Sequence, residues 1–149
     1  MFKRKILSKL EAWKRDERHK PLLLRGARQV GKTTVVNEFG SQFDNYLYFN
    51  LEMNESVRLF EMDIPLNDLV NMLFASSGKS QREGSTLIFI DEIQNSPKTI
   101  ALLRYFYEQR PDLYVIAAGS LLENLVDVNV SFPVGRVMYM ALRPCSFYE

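Results

Sequence analysis

Apolar residues recur along this chain in two rhythms that take turns. Ile6, Leu7, Leu10 and Trp13 fall at spacings of three and four, which predicts a helix over about residues 3 to 15. After the polar stretch Asp16 to Lys20 and Pro21, the run Leu22-Leu23-Leu24 is short, apolar and bounded by breakers, as a strand buried on both faces must be. A helix over about Lys32 to Phe39 follows, with Val35, Val36 and Phe39 on one side and Gly40 placed as its C-cap. The turn residues Asp44-Asn45 then lead into a second strand, Tyr46 to Leu51. Two short helical pieces come next, the second opening near Pro65 with Asp63 as N-cap and carrying Leu66, Leu69, Val70, Leu73 and Phe74. Beyond a polar loop from Ser76 to Ser85, Thr86 to Ile90 reads as a third strand. A helix over Pro97 to Gln109, a fourth strand at Leu113 to Ala118 and a fifth near Val137 to Leu142 complete the alternation. Strands separated by helices predict an α/β sandwich around a mainly parallel sheet.

Composition narrows the class. With 149 residues, 46% of them hydrophobic, the chain builds one domain with a sizeable core. Its formal net charge of +1 gives no global field for nucleic acid, yet the charge is uneven. Residues 1 to 20 carry eight Lys or Arg against three acids, and the remainder carries eleven against fifteen. A basic first helix fits either a solvated face or contact with an acidic partner or nucleic acid; the second would show as salt-sensitive binding lost on deleting residues 1 to 20. One cysteine, Cys145, makes no internal disulfide, and one histidine, His19, builds no Cys/His zinc cluster. No apolar run approaches the roughly 18 residues of a membrane span, and residues 1 to 20 lack the apolar core of a signal peptide. The default compartment is the cytoplasm.

The chemistry lies in the connection after the first strand. Gly26-Ala27-Arg28-Gln29-Val30-Gly31-Lys32-Thr33 has the spacing G-x-x-x-x-G-K-[ST] between a strand and a helix. A loop that wraps backbone N–H groups around a multiply charged anion needs glycine where the dihedrals are unusual and where phosphate oxygens approach closely. Lys32 is placed to reach the β and γ phosphates and the Thr33 hydroxyl to ligate Mg2+, so the expected ligand is a nucleoside triphosphate with Mg2+. The run Leu87-Ile88-Phe89-Ile90-Asp91-Glu92 sets two carboxylates at the carboxyl end of a buried strand, where open α/β sheets bind ligands. Asp91 is the metal carboxylate and Glu92 the group that polarises an attacking water.

Two further residues each fit two roles. Ser120, after Ala117-Ala118-Gly119, is a polar sensor for the γ phosphate or the N-cap of a helix with Glu123 completing a capping box. Arg136 is an arginine finger toward a neighbouring subunit or an exposed arginine after a Pro-Gly turn. Arg28 and Gln29 decorate the rim of the loop. The aromatic sets Tyr46, Tyr48, Phe49 and Tyr105, Phe106, Tyr107 are assigned to core packing rather than base stacking, and Cys145 to an incidental thiol.

Leu22 to Thr34, Phe89 to Gln94, Gly119-Ser120 and Phe132 to Val137, taken together, resemble the prokaryotic ATP-binding proteins of the AAA superfamily. The resemblance covers essentially the whole chain. It implies a three-layer P-loop sandwich with strand order 5-1-4-3-2, ATP as the nucleotide, Lys32 and Thr33 as phosphate and Mg2+ ligands, and Asp91 and Glu92 as Walker B residues. With the residue readings above, phosphate contacts are expected from Gly26 through Thr34, Mg2+ on Thr33 and Asp91, and catalytic duties for Lys32, Glu92 and, in the first of their two roles, Ser120 and Arg136. Members of the family continue past the segment similar to Leu142 to Glu149 into a helical lid and a second domain. Residues 1 to 149 are therefore expected to be a single core with an N-terminal amphipathic helix, lacking the lid and weakened in affinity and turnover by that.

Two functions from different classes fit these residues: an ATPase that drives motion in a larger protein, and a nucleotide-dependent interaction or DNA-associated switch with negligible turnover. A small-molecule kinase fits less well, because it has little use for a water-activating glutamate beside the metal aspartate.

Overall fold

A computed structural model of the chain describes residues 2–26, 31–81, 84–119 and 135–141, with side chains from Lys5 onward. Its centre is a five-stranded sheet built from β1 (Leu22–Arg25), β2 (Asn45–Asn50), β3 (Thr86–Asp91), β4 (Tyr114–Gly119) and β5 (Met138–Ala141) in the order β2-β3-β4-β1-β5. Every neighbouring pair is parallel, with Leu47 opposite Ile88, Ile88 opposite Val115, and Leu22 opposite both Ile116 and Met138. This is the sheet order that the resemblance implied.

Why the sheet is parallel and buried follows from its strands. All six residues of β3 are buried, and a strand with no polar face needs cover on both sides. Side chains on a strand point alternately to opposite faces. Leu23, Leu47, Phe49, Ile88, Ile90, Val115 and Ala117 accordingly enter one core, closed by the helices α3 (Asn54–Phe60), α4 (Leu66–Ser76) and α5 (Pro97–Gln109). Leu22, Leu24, Leu87, Phe89, Ile116 and Ala118 enter the other, under α1 (Phe2–Arg15) and α2 (Lys32–Gly40). Two helix layers thus sandwich the sheet. Among the described residues no helix is long and apolar enough to cross a membrane.

Two predicted helix ends are corrected. Gly40 is the last residue of α2, not its left-handed cap: Ser41, with right-handed dihedrals, follows and donates to the Glu38 carbonyl, and the next residue, Gln42, donates to that of Phe39. Glycine is required there for space, since a Cβ at Gly40 would lie 2.7 Å from the Tyr46 ring. The second correction is at α4, where Pro65 rather than Asp63 occupies the cap position; its ring already holds φ at −58°, close to the helical value. The expected bounds of α5 hold at both ends, with Pro97 in the first turn and the Ser96 hydroxyl accepting from the Thr99 N–H.

The first helix is part of the core. Ile6, Leu10 and Trp13 are buried on α2 and the sheet, and Trp13 Nε1 donates to the Lys20 carbonyl at 2.7 Å. The Trp13 ring meets Tyr114 edge-on at 5.4 Å, while His19 stacks on Tyr114 at 3.9 Å. The Tyr114 hydroxyl then donates to the Lys14 carbonyl at 2.8 Å, tying α1 to β4. Removing the indole leaves a cavity at this junction. Trp13→Ala is expected to lose about 3–5 kcal/mol of unfolding free energy in a urea titration; a loss below about 1 kcal/mol would show that α1 unfolds apart from the rest.

Candidate active site

β1 and β3 run parallel with β4 between them, so their carboxyl ends open on the same side of the sheet, the usual ligand crevice of such folds. The loop leaving β1 starts at Gly26 and re-enters the described structure at Gly31; Ala27, Arg28, Gln29 and Val30 lie outside the described residues. Gly31 has φ 80° and ψ 20°, the left-handed conformation that a side chain resists, and its carbonyl accepts the Val35 N–H at 3.0 Å to start α2. The first residues of that helix therefore direct N–H groups that the helix itself does not use, and the positive end of the helix dipole, at the crevice.

Lys32 is the first residue of α2 and is 5% exposed. Its ammonium donates to the Gly26 carbonyl at 2.7 Å, so the lysine closes the loop from one end to the other. Thr33 Oγ1 donates to Asp91 Oδ2 at 2.7 Å, joining the loop to the end of β3 across 58 residues of sequence. Thr34 is exposed beside them.

Asp91 is 4% exposed and its carboxylate accepts three hydrogen bonds. Oδ1 accepts the Glu92 N–H at 2.9 Å, and Oδ2 accepts both Thr33 and, at 3.1 Å, the Tyr48 hydroxyl. Burial first, and then the negative charge of Asp91, push the Tyr48 hydroxyl up to about 12, so it stays protonated and donating through neutral pH. Tyr46 is pushed up as well, mainly by burial.

Glu92 has φ 57° and ψ 44° and is the one non-glycine with positive φ among the described residues. Such a conformation costs about 1–3 kcal/mol and persists where the surroundings impose it. Here Ile93 is fully buried immediately after, and Asn95 donates to the Leu51 carbonyl at 3.2 Å, so the 3₁₀ turn Ile93–Asn95 is pinned and the chain bends sharply at Glu92. Gln94 Nε2 donates to Glu92 Oε2 at 2.8 Å and orients that carboxylate.

Arg136 lies elsewhere. It precedes β5, whose Met138 is level with Leu22 at the amino end of β1, so it sits toward the end of the sheet opposite the loop. Its Nε is 2.7 Å from Glu108 Oε2 on α5, and Arg104 is 3.5 Å from the other oxygen. The Arg136 hydrogen bond, with Arg104 assisting, holds the Glu108 carboxyl below its ordinary range. Ser120 and Cys145 lie outside the described residues.

The structure thus brings Lys32, Thr33, Asp91 and Glu92 to one end of the sheet and leaves Arg136 apart. It also adds Tyr48 and Gln94, which sequence reasoning passed over. Tyr48 is not the core residue its aromatic neighbours suggest: it is 40% exposed and its hydroxyl meets Asp91. A signal was present: in β2 Leu47 and Phe49 form the buried phase, which leaves Tyr46, Tyr48 and Asn50 on the other.

Comparisons with known proteins agree with this architecture. A family model for an AAA domain matches residues 18–149. The uncharacterized protein MJ1637 of Methanocaldococcus jannaschii is 31% identical over 121 residues, which make up 77% of this chain and 24% of that protein. Among solved structures, the Walker-type ATPase PABY2304 of Pyrococcus abyssi superposes with a TM-score of 0.59 at 20% identity, over 99% of this chain and 55% of that one. Drosophila ORC bound to DNA gives a TM-score of 0.58 at 16% identity, over 93% of this chain and 42% of that one. PCH-2 of C. elegans gives 0.53 at 13% identity, over 96% and 43% respectively. The chain spans about a quarter of the Methanocaldococcus relative and about half of each solved chain. With the phosphate-loop sequence, the sheet order and the family match in agreement, the chain belongs to the AAA domain family of P-loop ATPases.

Proposed function

We propose that this domain binds ATP with Mg2+ and hydrolyses it, and that the reaction drives a conformational change in a longer protein. The observation that carries the reading is the 2.7 Å hydrogen bond from Thr33 to Asp91, which couples the loop to the strand-end carboxylate. A hydroxyl and a carboxylate, both hard oxygen donors, suit Mg2+. Gly26 through Thr34 form the phosphate cradle, in which Lys32 exchanges the Gly26 carbonyl for phosphate oxygens. Thr33 and Asp91 hold the metal, which when bound neutralises charge on the β and γ phosphates.

Glu92 accepts a proton from the attacking water as its oxygen bonds to the γ phosphorus and the bond to the bridging oxygen breaks, giving ADP and phosphate. Gln94 keeps the Glu92 carboxylate turned one way while this happens. Ser120 serves as a sensor at the γ phosphate. Arg136 serves as an arginine finger in a homo-oligomer, for which it exchanges Glu108 for a neighbour's phosphate. Residues 1–149 act as one core behind an amphipathic helix, and the supply of ATP together with a lone cysteine fits the cytoplasm.

Phosphate release from ATP, measured with Mg2+ and no acceptor molecule, tests this directly. Release that stops on adding EDTA is the expected result. ATP binding without release, even at high protein concentration, instead identifies a nucleotide-dependent switch; release only on adding an acceptor identifies a kinase.

A further inference from the structure

The hydroxyl of Tyr48 shares one carboxylate oxygen with Thr33, and the three groups come from three elements of the fold. β2 lies beside β3 in parallel register, Tyr48 opposite Phe89 and Asn50 opposite Asp91. Tyr48 therefore starts two residues short of Asp91. A tyrosine has the length to lean along the strand and reach it, and its ring rests on Phe89 at 5.4 Å between centroids.

A carboxylate offers four acceptor positions, two on each oxygen. Glu92 N–H occupies one on Oδ1, and Thr33 and Tyr48 occupy two on Oδ2. With Oδ2 filled and Oδ1 anchored by backbone, the plane of the carboxylate is fixed from both sides. The position that remains, on Oδ1, is directed by those three bonds. Thr33 has one proton and spends it on Asp91, so its lone pairs face away from Asp91 and toward whatever cation the loop holds. If Tyr48 is removed, Oδ2 is left with a rotatable hydroxyl as its one donor, and the carboxylate gains freedom to turn.

We infer that Tyr48 is a positioning residue of the metal site: it orients Asp91 and so sets the affinity for the divalent cation that accompanies the nucleotide. The inference rests on the reading of Asp91 as the metal-site carboxylate. Groups that orient a ligand from behind commonly change metal affinity by about 10–100-fold when removed. The single hydroxyl here, backed by two other bonds, falls at the low end of that range.

The test is Tyr48→Phe, which keeps the ring on Phe89 and deletes the hydroxyl alone. Mn2+, whose free form is counted by electron paramagnetic resonance, is titrated into the whole chain saturated with the β,γ-imido analogue of ATP. The parent, Tyr48→Phe and Asp91→Asn are compared at a temperature where thermal melting shows all three folded. The expected result is Mn2+ affinity lowered about tenfold in Tyr48→Phe, with affinity for the metal-free analogue in EDTA unchanged. A merely structural tyrosine would move the melting temperature and leave the Mn2+ constant alone. If Asp91→Asn weakens Mn2+ and Tyr48→Phe does not, the role of Tyr48 is overturned while the metal reading of Asp91 stands. If neither substitution changes Mn2+ affinity, Asp91 is outside the metal site and the inference falls with that reading.

Discussion

Glu92→Gln lowers the rate of phosphate release by at least about a hundredfold, within the 10²–10⁴ range of a general base, and leaves ATP affinity within about threefold of the parent. The split follows from where Glu92 stands. Lys32, Gly31 and Thr33 belong to α2 and the loop and are the proposed phosphate contacts, whereas Glu92 is beyond the end of β3 on a separate turn. Gln is nearly isosteric with Glu, and its amide oxygen still accepts from Gln94, so the bend at Glu92 and its hydrogen bond survive. What is lost is a group able to take the proton of water. A stopped-flow phosphate sensor gives the rate and titration calorimetry the affinity. Turnover unchanged by the substitution would move the base elsewhere, with Ser120 and its neighbours as the next place to look.

The parts of the fold that sequence reasoning captured are those whose cause is local. The bounds of α5 are legible because Ser96-Pro97 is a start signal in itself, and strands such as β1 and β3 because each is a short apolar run set between breakers or polar loops. The loop and Asp91-Glu92 were legible for the same reason: strand, motif and helix are contiguous. Less legible is whatever a residue elsewhere in the chain decides. Gly40 looks like a helix stop, yet the aromatic ring of Tyr46 demands its missing side chain. Tyr48 looks like core until its strand phase and the position of Asp91, 43 residues away, are known together. Arg136 is held by Glu108 from 28 residues away, a pairing that no spacing announces.

Lys32→Ala is expected to weaken ATP binding by about 10–100-fold, the range of one or two hydrogen bonds from a charged donor. Lys32 is nearly buried and its ammonium is already desolvated against the Gly26 carbonyl, so part of the cost of bringing the charge out of water is met before the nucleotide arrives. That prior bond also limits the gain, because phosphate must displace a carbonyl oxygen 2.7 Å away rather than water. The side chain is itself buried, so Lys32→Met, which keeps most of that volume, separates charge from packing. Both variants should lose ATP affinity alike, with Lys32→Met melting closer to the parent. Lys32→Arg should not rescue binding, since a planar guanidinium does not fit a site shaped around a point charge. Calorimetric titration with ATP and Mg2+ reads all three. Parent-like affinity in Lys32→Met would mean that backbone N–H groups and the start of α2 carry the phosphates without the lysine, and would restrict its part to the transition state.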